Sequence, residues 1–198
     1  MDFLYYKGLK IKLHPQVYSP AEDSFLLAEN LKIKRGDLAL DVGTGTGIIA
    51  LLMSKKAKFV LGVDVNPYAV ELAKENAKIN NIKNVEFRLS DLFENIDGKF
   101  DIITFNAPYL PDEEPKEMIE RAWSGGESGR EVLDRFIEEV SNYLTPNGVV
   151  QIVQSSLTGI EETLEKLNAK GFNVEITARE RYFFEEIVVI SAKLNKSV

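Results

Sequence analysis

Asn106, Ala107, Pro108 and Tyr109 follow the apolar run Phe100 to Thr104, and together they can hold a planar –NH2 group. The Asn106 carboxamide oxygen and the Ala107 backbone carbonyl are neighbouring acceptors, one for each hydrogen of such a group. Tyr109 adds a flat ring beside them. Pro108 biases Ala107 toward an extended backbone, which preserves that arrangement. These four residues are the catalytic candidates, and the chemistry they predict lies at an amide or amine nitrogen.

A second constellation lies upstream, in Asp41-Val42-Gly43-Thr44-Gly45-Thr46-Gly47. Gly43, Gly45 and Gly47 stand between an apolar strand pattern and the helical run Ile48 to Met53, where glycines permit a sharp turn and close approach of a ligand. Asp64 ends the next strand pattern, where a carboxylate can accept both hydroxyls of a ribose. Asp91 follows a third, placed to accept from an adenine amino group. Asp41 precedes the first glycine and can meet the cationic amino-acid end of a cofactor, directly or through water. An aspartate at a strand end is often only a turn residue; three such ends in one chain form a pattern. The Gly-x-Gly-x-Gly spacing differs from the Gly-x-Gly-x-x-Gly of dinucleotide folds, which favours S-adenosylmethionine over NAD.

Positioning these residues requires alternating strands and helices. Strand patterns fall at Leu38–Val42, Val60–Val63, Val85–Leu89, Phe100–Phe105 and Val149–Val153, separated by helical patterns. Such alternation predicts a parallel sheet with helices on both faces. Asn173–Ala178 and Ile187–Ala192 follow without an intervening helix and read as an antiparallel pair. Ser19-Pro20-Ala21-Glu22 reads as a capping box with Pro at the first helical position, turning Phe25, Leu26 and Leu27 inward. Asn66-Pro67 starts a second helix through Lys78, and Glu131 to Leu144 has helical spacing. Thr145-Pro146-Asn147-Gly148 then supplies turn chemistry. The acidic stretch from Pro111 to Gly129, with Trp123, reads equally as a lid over the site or as an ordinary loop. Arg130 and Asp134 read as a brace for it or as a surface ion pair, and His14 as a loop residue.

The 198 residues suit one domain over 1–198, with no repeat or linker. Absent cysteine and a single histidine exclude disulfides, thiolate chemistry and a histidine metal cluster, so no metal site is expected. A net charge of −7 weighs against broad nucleic-acid binding. The sequence shows no membrane-length apolar run and no secretory leader pattern, so the cytoplasm is expected. Asn195-Lys196-Ser197 is then a chance glycosylation match.

The chain resembles class I S-adenosylmethionine-dependent methyltransferases, and more narrowly the archaeal and eukaryotic branch of HemK-related release factor glutamine methyltransferases. The specific matches are Val17 to Leu27 and Gly125 to Asp134; the Asp41–Gly47 loop and Asn106–Tyr109 complete the pattern. The resemblance implies a Rossmann-like α/β fold whose seven-stranded sheet is mostly parallel and ends in an antiparallel hairpin. Residues 1–36 would cover the cofactor and 37–198 form the core. Tyr18, Pro20, Ser24, Asp41, Gly43, Gly45, Gly47, Asp64, Val65, Asp91, Leu92 and Asn106 would contact or border S-adenosyl-L-methionine. The implied substrate is the glutamine of the Gly-Gly-Gln loop in a class I translation termination factor, and the implied partner a small zinc-binding activator on the sheet edge at Val85–Leu89. Phe87 on that strand fits core packing or the interface. Where this family usually has Pro, the chain has Ala107, which keeps the acceptor carbonyl and loses the ring's φ restraint.

Other readings share the amino-gripping motif: methylation of adenine N6 or guanine N2 in nucleic acid, lysine methylation, or a non-catalytic partner subunit. Acidic charge opposes the first, and the intact Asn106–Tyr109 set opposes the last.

Overall fold

Apolar runs long enough to be buried on both faces become the central strands of this chain. The computed structural model describes residues 2–109, 125–126 and 128–194. In chain order the elements are β1 (Phe3–Tyr6), β2 (Leu9–Lys12), α1 (Glu22–Glu29), β3 (Leu38–Val42), α2 (Ile48–Met53), β4 (Phe59–Asp64) and α3 (Pro67–Ile79). There follow β5 (Val85–Leu89), β6 (Phe100–Asn106), α4 (Glu131–Glu139), β7 (Leu144–Ser155), α5 (Ile160–Ala169), β8 (Phe172–Arg181) and β9 (Glu186–Leu194). Seven strands form one sheet in the order β5-β4-β3-β6-β7-β9-β8. Pairing is parallel except that β9 runs antiparallel to both β7 and β8, the β8–β9 pair being the one the sequence pattern predicts.

Side chains alternate across the sheet and feed two cores. On β6, Ile103 and Phe105 join a cluster with Leu133, Phe136 and Ile137 of α4, while Ile102 points into the cluster under α1, α2 and α3. Aromatic rings knit the first cluster: Phe105 lies 4.5 Å from Phe136, and Phe93 stacks 4.4 Å from Tyr143. Every residue of α2 is buried, so that helix is held by packing on all sides.

Three local expectations give way to tertiary contacts. The capping box at Ser19 does not form: α1 begins at Glu22, with Ala21 extended before it and no side-chain cap. Pro20 stays outside the helix, and a cap is worth only about 1 kcal/mol against the packing of this segment. Helix α4 ends at Glu139, and Val140–Tyr143 tightens to a 3₁₀ turn. Thr145 to Gly148 bulges within β7, since Phe100 pairs with Leu144 and Ile102 with Val149. Asp101 sits opposite and secures the bulge, accepting from Thr145 Oγ1 at 2.8 Å and from the Leu38 amide at 2.9 Å. Asn66 caps α3 as expected, accepting from the Tyr68 amide at 2.9 Å.

The β1–β2 hairpin has no counterpart in the sequence reading. Lys7 and Gly8 both adopt positive φ, 45° and 79°, which suits a tight two-residue hairpin turn. The free edge of β2 is covered by carboxamides rather than by a strand. Asn80 accepts from the Lys10 amide at 2.9 Å and donates to the Lys10 carbonyl at 2.8 Å. Asn76, one turn earlier on α3, does the same for Lys12 at 2.7 and 3.1 Å, and also donates to the Thr46 carbonyl at 2.9 Å. Asn76 is fully buried, so its loss strands polar atoms. Asn76→Ala should therefore lower unfolding free energy by about 1–3 kcal/mol in denaturant titration, with faster hydrogen exchange at the Lys12 amide. Unchanged exchange there would show that the hairpin is held by other contacts.

Candidate active site

The strand order reverses between β3 and β6, and at such a switch point the carboxyl ends of neighbouring strands open a crevice. Asp64, Asp41 and Asn106 stand at or near the ends of β4, β3 and β6, three adjacent strands. One cavity collects the expected residues. Tyr18, Pro20 and Ser24 line it from the N-terminal segment, Asp41, Gly43 and Gly45 from the glycine turn, and Asp64 and Val65 from the end of β4. Asp91 and Leu92 line it after β5, and Asn106, Ala107, Pro108 and Tyr109 after β6.

Gly47 is the exception, absent from the cavity wall. It starts α2 with φ 82°, and a Cβ there would sit 3.0 Å from the Ala73 side chain and 3.2 Å from the Phe87 ring. It is a packing glycine. Gly62, inside β4, makes room for the same ring, which would lie 2.6 Å from a Cβ. Phe87 is thus a core residue, buried beneath the glycine turn.

Asp41 is buried and receives two hydroxyls, Thr44 Oγ1 on one carboxylate oxygen and Thr104 Oγ1 on the other, both at 2.7 Å. Burial pushes its carboxyl up to about 6, against the pull of those hydroxyls. Asp64 accepts from the Gly45 amide at 2.8 Å and the Asn66 amide at 2.9 Å. Burial raises its pKa too, opposed by these amides. Each carboxylate oxygen has more than one acceptor direction, so capacity remains for donors in the cavity. Asp91 accepts from Arg135 of α4 at 3.1 Å, an exposed pair that bridges to the far wall.

Asn106 meets a partner that sequence reading did not single out. Its Nδ2 donates to Asp23 Oδ2 at 2.9 Å. Asp23, 3% exposed at the start of α1, also takes the Ser24 amide at 2.6 Å and the Tyr18 hydroxyl at 3.3 Å. A carboxylate only accepts, so the Asn106 amino end must face it and the oxygen must face away. That oxygen is buried with no hydrogen-bond partner among the described residues. Thr46 Oγ1, also on the cavity wall, is in the same condition. Buried unpaired polar atoms on a cavity wall fit a ligand that supplies the missing partners.

Val17, Thr44, Asn66, Ser90 and Val132 also line the cavity without being anticipated. They are small polar or apolar residues whose types have commoner uses in turns, helix caps and cores. His14 is a loop residue, its Nδ1 accepting from the Gln16 amide at 3.1 Å and its ring stacked 5.5 Å from Tyr68. Arg130 is no surface residue: 7% exposed, it donates to the carbonyls of Thr158 and Gly159, to Thr163 Oγ1 at 3.1 Å, and to Asp134 at 2.9 Å. It anchors the start of α4 to the turn before α5. Most of the stretch from Pro111 to Gly129 that reads as a lid or an ordinary loop, including Trp123, lies outside the described residues, as does Asn195-Lys196-Ser197.

A family model described as the methyltransferase small domain matches residues 8–184. The chain is 57% identical over 190 residues to a candidate protein N5-glutamine methyltransferase of Methanocaldococcus jannaschii, covering 94% of this chain and 96% of that one. It is 34% identical over 170 residues to methyltransferase HEMK2 of Homo sapiens, covering 78% and 79%. Among solved structures, the E. cuniculi Mtq2–Trm112 complex, described as responsible for methylation of the eRF1 termination factor, superposes with a TM-score of 0.73. Identity there is 25%, over 91% of this chain and 99% of that one.

The Asp41 geometry yields a titration test. Its carboxyl should show a carbon-NMR midpoint near 6. Thr104→Val removes a hydroxyl that favours the ionised form, so the midpoint should move upward. A midpoint that stays put, or falls, would show that the Thr104 contact does not act on this carboxyl.

Proposed function

The chain belongs to the methyltransferase small-domain family, among the N5-glutamine methyltransferases, and from that premise we propose that it methylates the side-chain nitrogen of the glutamine in the Gly-Gly-Gln motif of a class I translation termination factor. The observation that supports this acceptor is the Asn106 carboxamide oxygen, buried and unpaired while Asp23 holds the amino end. An acceptor offered in that way selects a donor, and an amide –NH2 is one. S-adenosylmethionine supplies an electrophilic methyl group carried on a sulfonium. Asp64 would hold its ribose hydroxyls, Asp91 its adenine amino group, and Asp41 its cationic amino-acid end. Tyr18, Pro20, Ser24, Val65 and Leu92 border it, and residues 1–36 cover it as part of one domain.

An amide nitrogen is a weak nucleophile because its lone pair is shared with the carbonyl. Asn106 Oδ1 and the Ala107 carbonyl accept the two amide hydrogens, fix the nitrogen, and favour positive charge developing on it. Tyr109 stacks on the amide plane and excludes water. Burial foremost, then the neighbouring Asp23, raises the Tyr109 phenol to about 12, so at neutral pH it remains protonated and serves as a ring rather than a base. Catalysis comes from positioning and oriented dipoles: as the nitrogen took the methyl group the sulfonium would leave as a neutral thioether, and the surplus proton, strongly acidic on the methylated amide, would pass to solvent as the product departs.

The Mtq2 relative pairs with Trm112, and the corresponding reading here is a small zinc-binding partner subunit on the β5 edge. That strand ends the sheet order, and Leu89 is 49% exposed on it. A substrate that works in translation termination would put the reaction in the cytoplasm. Among the described residues no helix is long and apolar enough to cross a membrane.

Incubation with labelled cofactor and a panel of termination factor, tRNA and histone, followed by mass spectrometry, tests the acceptor: label on tRNA or lysine instead of glutamine overturns it. Asn106→Ala should lower turnover by about 10²–10³ while calorimetry finds cofactor affinity nearly intact; undiminished turnover would refute the assignment. Leu89→Lys should weaken capture of the partner subunit in gel filtration without altering cofactor affinity. Equal capture by that variant would move the interface elsewhere.

A further inference from the structure

Phe183 and Phe184 are 91% and 85% exposed, the barest large apolar side chains among the described residues. They occupy the four-residue loop between Arg181 and Glu186, which pair across β8 and β9. Their rings meet edge to face with centroids 4.6 Å apart. The loop is not loosely held. The Tyr182 amide donates to the Glu185 carbonyl at 2.8 Å, Ser155 Oγ donates to the Glu185 carboxylate at 2.5 Å, and the Glu186 amide donates to Ser156 Oγ at 3.0 Å. Those last contacts bring the turn after β7 alongside, where Leu157 is 60% exposed. A braced tip with contiguous bare aromatic rings has the composition of a protein–protein interface core.

Its location supplies the partner. Tyr182 and Glu185 line a second cavity with Tyr18, Glu22, Asp23 and Tyr109. Tyr18, Asp23 and Tyr109 belong to the main cavity as well, so the second cavity continues the acceptor end of the site to the surface. Its rim carries the carboxylates Glu22 and Glu185, and the cations at the base of the loop, Arg179 and Arg181, are both paired with Glu186 at 2.8 and 3.0 Å. The rim's surplus charge is negative, so nucleic-acid phosphates would be repelled there, and a symmetric contact between two copies would bring two acidic rims together. A polypeptide surface with apolar side chains beside Lys or Arg is complementary to both the rings and the charge.

We propose that Phe183 and Phe184 form a docking site for the body of the substrate protein, engaging an apolar patch flanked by basic residues outside its acceptor loop. The inference rests on the glutamine reading above and adds a recognition element to it. A short peptide carrying the acceptor meets the catalytic cavity alone, whereas the whole factor also meets the rings.

The test compares wild type with Phe183→Ser/Phe184→Ser on two probes, a full-length class I termination factor and a short synthetic Gly-Gly-Gln peptide. The double variant should raise KM for the full-length factor by about tenfold or more, with kcat, cofactor affinity and peptide methylation unchanged. Phe183→Tyr/Phe184→Tyr should restore the lost affinity. Equal loss on both probes, no loss on the factor, or a wild-type dimer that the serine variant splits would each overturn the docking site. A wild type that methylates neither probe sinks the glutamine reading, and the docking site with it. Methylation of both probes leaves only the rings in question.

Discussion

A carboxylate has no proton to give, and this constraint lets Asp23 decide which end of the Asn106 carboxamide enters the cavity. The bond spans the start of α1 and the end of β6, so it joins the segment over the crevice to the strand beneath it. The Ser24 amide and the Tyr18 hydroxyl converge on the same carboxylate and hold it in turn. In this dry setting a wrongly turned carboxamide would put two oxygens face to face. The orientation of one amide therefore ties together helix entry, strand end and acceptor geometry. On the proposed mechanism, the protein needs no proton-abstracting side chain at that point.

The glycine turn depends on residues that never reach the cavity. Phe87 lies across Gly62 and under Gly47, filling space that any Cβ would occupy. Asn76 reaches from α3 to the Thr46 carbonyl in the turn and to β2 in the N-terminal hairpin. Burial lets one side chain hold both, because the alternative is unpaired polar atoms away from water. Asp41 is likewise held across strands by Thr104 as well as by Thr44 within its own turn. The wall facing the ligand is thus set from behind.

The hairpin at the other end of the sheet has an outward role. Antiparallel β9 joins β8 to β7 and carries the aromatic tip to the rim of the acceptor cavity. The proposed catalytic residues sit at a strand end inside the cavity, where little surface is available to distinguish one protein from another. Recognition of a large substrate then falls to neighbouring loops such as this one.

Periodicity and turn chemistry determined much of this protein. Strands buried on both faces read as unbroken apolar runs, and Asn66-Pro67 announced a helix start through purely local bonding. Asp41, Asp64, Asp91, Gly43, Gly45 and Asn106–Tyr109 were legible as residues of one cavity because the pattern recurs at several strand ends, although each aspartate alone has the commoner use of a turn residue. Tertiary structure decided the rest. Gly47 resembles its two neighbours in sequence and differs only in what lies against it, the Ala73 and Phe87 side chains. The β1–β2 hairpin is too short for a clear period, and asparagines of a distant helix cover its edge. Asp23 sits one residue before Ser24 with nothing local to mark it; its partner is 83 positions away. Contacts between residues so separated depend on how the sheet is ordered, and no local spacing encodes that order.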